Sequence, residues 1–347
     1  MKIIDLRSDT VTLPTDDMRQ AMFNAVLGDD VFHEDPTVNK LEELSAELMG
    51  KEAALLVASG TMANLVAVLT HCARGEEVIL GNEAHIFRNE AGGMAALGGI
   101  HPHIIPNQPD GTLRLEDIEG AIRGKNEHWP RTRLICLENT HNSCYGAPLT
   151  PEYTNSVAEL ARRHKLRIHL DGARIFNAAV ALKKEPTEFT RNVDSVSFCL
   201  SKGLAAPIGS MLCGSKEFIA EARRTRKIVG GGMRQAGIIA APGILAIKKM
   251  RERLEEDHIN ARRLAEGIAK IPGLSIEIDR IKTNIVYFDL IDKRLNPDAL
   301  VTRLNEKGIK FLRTGAFRFR MVTHYGILPE HIDSALNALK EVMAQNV

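Results

Sequence analysis

Seven short apolar runs, separated by stretches with helical patterning, constrain this chain more than any other feature of its sequence. They lie at 53–58, 77–80, 103–105, 134–138, 167–171, 195–200 and 211–213. Runs of this kind suit strands buried on both faces, and helices between them are what join parallel strands. The fold class that follows is α/β, a mostly parallel sheet with helices on both faces. In an open sheet of that kind, ligands bind at the carboxyl ends of the strands. Functional side chains therefore belong just past the end of each run.

Three strand ends stand out. The run 195–200 passes into Ser201-Lys202-Gly203, the run 167–171 ends on Asp171-Gly172-Ala173-Arg174, and the run 53–58 stops at Ser59-Gly60-Thr61, where an apolar helix begins. Each has an ordinary structural reading: a solvated turn, a helix-capping aspartate and a plain N-cap. Taken together they supply more. A lysine and an aspartate on one sheet edge provide an amine for a Schiff base and a carboxylate that keeps a pyridine nitrogen protonated. Ser59, Gly60 and Thr61 provide N–H groups and hydroxyls at a helix start, where a phosphate binds well. The combination points to pyridoxal 5'-phosphate, anchored on Lys202 with Asp171 at its ring nitrogen. Neither a Walker-type loop nor a G-x-G-x-x-G turn follows a strand, so nucleotide cofactors lose support.

Further motifs run from end to end. They are Asp5-Leu6-Arg7-Ser8-Asp9-Thr10-Val11-Thr12, Gly28-Asp29-Asp30-Val31, Glu34-Asp35-Pro36-Thr37, His85-Ile86-Phe87 and Glu138-Asn139-Thr140-His141-Asn142. Gly230-Gly231-Gly232-Met233-Arg234-Gln235 and Arg320-Met321-Val322-Thr323-His324 complete the set. In this order and spacing the chain resembles the fold-type-I family of pyridoxal-phosphate enzymes, and within it the L-threonine aldolases. The resemblance implies a transferase-like fold with a small C-terminal α+β domain. It also implies retro-aldol cleavage of L-threonine, L-allo-threonine and related β-hydroxy-α-amino acids to glycine and an aldehyde. Other reactions on the same scaffold are β-elimination, racemisation and transamination, and fold alone does not separate them. A non-catalytic binding protein would not need Lys202, Asp171 and Arg320 together.

The resemblance also implies roles for single residues. His85 would stack on the cofactor ring, and His141 would lie near the substrate side chain. Either imidazole, or a bound water, could take the β-hydroxyl proton. Arg174 would contact the ring hydroxyl or the substrate carboxylate. Arg318 and Arg320 alternate with period two and so share a face; the family motif selects Arg320 for the substrate carboxylate, with Ser8 beside it. Lys227 and Arg234 flank the triple glycine, a segment that approaches the cofactor phosphate in the family, partly across a dimer interface. A homodimer or homotetramer with shared active sites is implied. The chain departs from many relatives at Phe32, at Arg88 and Asn89, and at Ser143-Cys144-Tyr145-Gly146, positions that bear on the pocket for the substrate side chain.

Composition narrows the alternatives. The chain has 347 residues, 44% of them hydrophobic, and a net charge of +1. That length suits an N-terminal arm at 1–20, a large domain at 21–255 and a small domain at 256–347. The balanced charge gives no field to draw in nucleic acid or an anionic membrane, and no apolar stretch is long enough to span one. Charges near the N-terminus do not suit a signal peptide. The five cysteines are scattered, show no zinc-ligand spacing, and read as buried thiols in a reducing cytoplasm; no metal belongs to the expected site. A long helix is expected over about 236–271, followed by strand 283–290, helix 297–307, strand 317–323 and helix 329–345.

Overall fold

The computed structural model describes residues 3–344. After a two-residue strand near the start (β1, Ile4–Asp5), the seven apolar runs become β2 (Ala53–Val57), β3 (Glu77–Gly81), β4 (His101–Ile105), β5 (Thr132–Glu138), β6 (Arg167–Asp171), β7 (Ser195–Cys199) and β8 (Ser210–Gly214). They form one sheet in the order β2-β8-β7-β6-β5-β3-β4. The two pairings made by β8 are antiparallel and the rest are parallel. Successive side chains along a strand serve opposite faces. Leu56, Ile79, Ile135 and Met211 enter one core, while Leu55, Val78, Leu134 and Leu212 enter cores on the other side. Double-sided burial is why these strands read as unbroken apolar runs.

Helix starts are set by capping side chains. Helix α1 (Asp16–Phe23) is capped by Thr15, α2 (Pro36–Leu48) by Asp35 and α3 (Gly60–His71) by Ser59. Asp35 is fully buried. It accepts from the N–H groups of Thr37 and Val38 at 3.1 and 3.0 Å, and from those of Gly28 and Gly237 at 3.2 and 2.8 Å. One carboxylate thus caps a helix and holds two remote glycine segments against it.

The C-terminal region adds β9 (Leu274–Ser275), β10 (Ile285–Leu290), β11 (Ile309–Lys310), β12 (Leu312–Arg313) and β13 (Arg318–Val322). Four of these make an antiparallel sheet in the order β12-β13-β10-β9. Phe288, Phe311 and Phe319 meet in its core with ring centroids 5.4–6.2 Å apart. The last helix spans Pro329–Ala344, and the expected end at 345 lies outside the described residues. Among the described residues no helix is long and apolar enough to cross a membrane.

Two expectations differ from the structure. The single helix over 236–271 is broken into Gly237–Leu245, a π-helical turn at Ala246–Met250, a non-helical step at 251–253, and Leu254–Ile268. Pro242 sits inside the first piece, where it offers no N–H to the ladder and crowds the preceding turn. The opening residues, expected as an arm, are stitched into the chain's own C-terminal core. Ile4 N–H donates to Gly308 O at 2.9 Å, Leu6 N–H to Lys310 O at 2.8 Å, and Val322 N–H to Leu6 O at 2.8 Å. Ile4 and Leu6 are buried there.

His258, on Leu254–Ile268, accepts at Nε2 from Asn177 Nδ2 at 3.1 Å, and burial lowers its pKa from 6.5 to about 4. The unfolded chain therefore takes up this proton between those two values and the folded protein does not. The associated stability is present above pH 6.5 and is lost as pH falls toward 4, at about 1 kcal/mol per pH unit. The expected outcome is that His258→Gln loses less stability than the parent between pH 7 and pH 5 in denaturant unfolding.

Candidate active site

The ends of β3, β5, β6 and β7 open onto one cavity of about 530 Å³. It is lined by Lys202 from the loop after β7, Arg174 after β6, Asn142 after β5 and His85 after β3, with Ser8 from the N-terminal segment and Arg320 from β13. Glu138, the last residue of β5, sets two of these loops. Its carboxylate accepts from His85 N–H at 2.7 Å and from Asn142 N–H at 2.8 Å. Arg88, Asn89 and Ser143 line the same cavity.

Asp171 lies at the end of β6, 2% exposed. Its Oδ1 accepts from Ala173 N–H at 3.1 Å and its Oδ2 from Asn64 Nδ2 at 2.8 Å. Polar atoms of His85, Glu90 and Asp171 all lie within 4.8 Å of one another. His85 Nδ1 bonds Glu90 Oε1 at 2.8 Å. This bond raises the His85 pKa; burial opposes it, and the nearby Asp171 charge adds to it. Burial pushes the Glu90 carboxyl upward, with Asp171 adding to the effect and the bond from His85 opposing it. Sequence reading missed Glu90. Its only signal is an acid five residues beyond His85, across a turn whose path the sequence does not reveal.

Arginines dominate the opposite wall. Arg174 is buried, and its Nε and Nη2 each reach an Asp9 oxygen at 2.7 Å. Burial works against both charges. Their attraction nevertheless holds the Asp9 carboxyl well below the usual carboxylate range and lifts Arg174 above its ordinary value. Asp9 also accepts from Asn284 Nδ2 at 3.3 Å. The remaining Nη1 of Arg174 meets Asn142 Oδ1 at 3.4 Å, and Arg320 Nη1 reaches the same oxygen at 3.0 Å. Arg318 and Arg320 both line the cavity, as their shared face predicts, but they differ in charge balance. Arg318 makes two bonds of 2.9 Å to Asp289. Arg320 donates to Asn142 and to Arg7 O, and its buried Nε has no partner. Among the described residues no acid pairs with Arg320, and such a guanidinium is the one suited to bind a carboxylate. Ser8 caps the short helix Asp9–Val11, accepting from Thr10 N–H at 3.2 Å.

Ser59, Gly60 and Thr61, at the start of α3, do not line that cavity; they lie beside the end of β7, which leads to Lys202. Ser59 Oγ accepts from Met62 N–H at 3.2 Å, so this hydroxyl serves as the cap. The N–H groups of Gly60 and Thr61, which a helix cannot satisfy internally, remain for a ligand. A Cβ on Gly60 would stand 2.9 Å from Cys199 Sγ, so this turn needs glycine. The triple glycine comes close by: a Cβ on Gly231 would lie 2.5 Å from Met62 Sδ in the first turn of α3. Lys227 packs over Gly232, whereas Arg234 turns to Asp29 at 3.1 Å. Neither basic residue lines the cavity around Lys202. His141 does not line it either. Its ring is 2% exposed, lacks a hydrogen-bond partner and stands 3.8 Å from Glu138. An amine, a buried carboxylate, unsatisfied helix N–H groups and an unpaired guanidinium fit a phosphorylated pyridine aldehyde and an amino acid side by side.

The chain is similar to known proteins over nearly its whole length. The profile of the Beta-eliminating lyase family matches residues 5–291. Low-specificity L-threonine aldolase 1 of Arabidopsis thaliana is 46% identical, over 99% of this chain and 97% of its own. The low specificity L-threonine aldolase of Escherichia coli strain K12 is 46% identical, over 95% of this chain and 96% of its own. The solved threonine aldolase of Leishmania major superposes with a TM-score of 0.83 at 21% identity, covering 98% of this chain and 99% of that one. At that identity it speaks for the fold, a fold-type-I arrangement.

Two outcomes follow from the buried pairs. Asp9→Asn strands the Arg174 charge, so it should cost about 3–5 kcal/mol in denaturant unfolding. Glu90→Gln should lower the His85 pKa, read from its imidazole resonances in an NMR titration.

Proposed function

The chain belongs to the Beta-eliminating lyase family, and from that premise we propose that it is a lyase that cleaves L-threonine, L-allo-threonine and related β-hydroxy-α-amino acids. The products are glycine and an aldehyde, acetaldehyde for the two threonines, and the cofactor is pyridoxal 5'-phosphate. The observation that carries this reading is a single cavity lined by Lys202, His85 and the acid-free guanidinium of Arg320, with Asp171 buried beside His85.

Lys202 would hold the cofactor through its amine and, when not so engaged, could return a proton at Cα. Asp171 would hold the ring nitrogen protonated. The Gly60 and Thr61 N–H groups and the Ser59 turn would hold the phosphate; Lys227 and Arg234 would add to it from the triple-glycine segment, outside the cavity around Lys202. When bound, pyridoxal phosphate supplies a protonated ring that accepts the electron pair left on Cα as the bond to Cβ breaks. Arg320 and Ser8 orient the substrate carboxylate, and Arg174 fixes Asn142 beside it. Glu90 accepts a hydrogen bond from His85 Nδ1–H, which leaves Nε2 free to accept the β-hydroxyl proton. His141, buried beside Glu138 and not lining the cavity, is the second candidate for that proton.

The same reading includes a homodimer or homotetramer with active sites at subunit boundaries. Leu13, Phe23, Val26, Phe32 and Ile228 are exposed around the N-terminal segment and the triple glycine, an apolar surface a second copy would cover. A cytoplasmic location is supported by five free, buried cysteines.

The test is a visible absorbance spectrum together with acetaldehyde release from L-threonine and L-allo-threonine, with Lys202→Ala as control. The expected result is a cofactor band and acetaldehyde from the parent only. Ammonia and a 2-oxo acid in place of glycine would move the reaction to β-elimination. A band with no turnover of any β-hydroxy amino acid would sink the proposal.

A further inference from the structure

Beside Asp171 lies a chain of buried polar side chains that the scheme above does not use. Its centre is Asn64, on α3 one turn past Gly60 and 1% exposed. Asn64 Nδ2 is 2.8 Å from Asp171 Oδ2 and 2.8 Å from Glu90 Oε1. Its Oδ1 is 3.0 Å from His169 Nε2 and 3.0 Å from Ser197 Oγ. His169 Nδ1 is 2.9 Å from Ser195 Oγ, which in turn is 2.8 Å from His71 Nε2. The sheet explains the grouping. Strands β6 and β7 pair His169 with Ser195 and Asp171 with Ser197, and a period of two puts all four on one face, the one that reaches α3.

The direction of every bond follows from the ends. A carboxylate only accepts, so the Asn64 amide turns both N–H bonds toward Asp171 and Glu90. Its oxygen then faces His169 and Ser197, which must both donate. Burial lowers His169 to about 4 and His71 to about 3, so both rings are neutral near pH 7. With Nε2–H committed to Asn64, His169 accepts at Nδ1 from the Ser195 hydroxyl, and the Ser195 oxygen accepts from His71 Nε2–H. An Asn64 turned by half a revolution would set its oxygen against two carboxylates and its N–H bonds against two donors.

We propose that Asn64 is a positioning residue for this reaction: keyed by His169 and Ser197, it clamps the Asp171 and Glu90 carboxylates and so orients both the acid at the ring nitrogen and the acid that directs His85. The inference rests on the reading of the cavity as a pyridoxal-phosphate site. One side-chain amide then serves two functions that the sequence keeps apart, since Glu90 follows β3 and Asp171 ends β6.

The test compares two ligands on the full-length apoprotein: pyridoxal phosphate, and its analogue in which carbon replaces the ring nitrogen. Dissociation constants are read by fluorescence titration, with no turnover required. Asn64→Ala should weaken pyridoxal phosphate about tenfold and leave the analogue within about twofold. His169→Leu, which frees the amide to rotate, should act in the same sense. Ser197→Ala removes a single hydroxyl with little change in volume and should shift the same ratio about threefold; it decides the matter if the larger changes fail to fold. Equal weakening of both ligands would mark Asn64 as merely structural and overturn the inference. A parent protein that binds neither ligand would overturn the cofactor reading instead.

Discussion

The buried ion pair between Asp9 and Arg174 is the contact on which the rest of the site depends. Arg174 belongs to the loop after β6 of the large sheet, Asp9 to the N-terminal segment, and Asn284, which also bonds Asp9, to the start of β10 in the small sheet. One bidentate contact therefore joins three parts of the chain that are far apart in sequence. Two buried charges are costly alone and tolerable only with good geometry and further hydrogen bonds. Both are present here, since Asn142 and Asn284 occupy remaining positions on the pair. The pair closes one wall of the cavity and brings Ser8 beside Arg320 from opposite ends of the chain.

Charge is distributed along the cavity in a way that separates tasks. Arg174 and Arg318 are neutralised by Asp9 and Asp289, leaving Arg320 as the guanidinium with attraction to spare. The acids on the other side are shared among neutral donors: Asn64 serves Asp171 and Glu90, and Glu138 takes two backbone N–H groups. Buried acids behind His85 and a guanidinium on the other wall suit a ligand with a cationic ring and an anionic carboxylate.

Much of this was legible in the sequence. The parallel sheet could be read because strands buried on both faces must be apolar throughout, and the ends of those strands pointed to Lys202, Asp171 and the Ser59–Thr61 turn. Arg318 and Arg320 could be placed on one face by period alone. Their difference could not, because it lies in Asp289, which reaches Arg318 through the pairing of β10 with β13. The break after Pro242 was readable in principle, since proline removes a helix donor. The continuous apolar pattern around it outweighed that signal. The N-terminal residues read as an arm because their partner strand, β11, is a two-residue element with no pattern of its own.

The sequence by itself determined the architecture, the carboxyl edge where chemistry gathers, and the residue types that chemistry requires. These depend on local periodicity and on what can follow a buried strand. Only the tertiary structure decided which acid neutralises which arginine, that His141 stays off the cavity while His85 lines it, and that Asn64 bonds both Glu90 and Asp171. Those outcomes depend on contacts between residues tens to hundreds of positions apart, made at the final Ångström of approach. No local pattern encodes such a distance, because it is set by how whole elements pack.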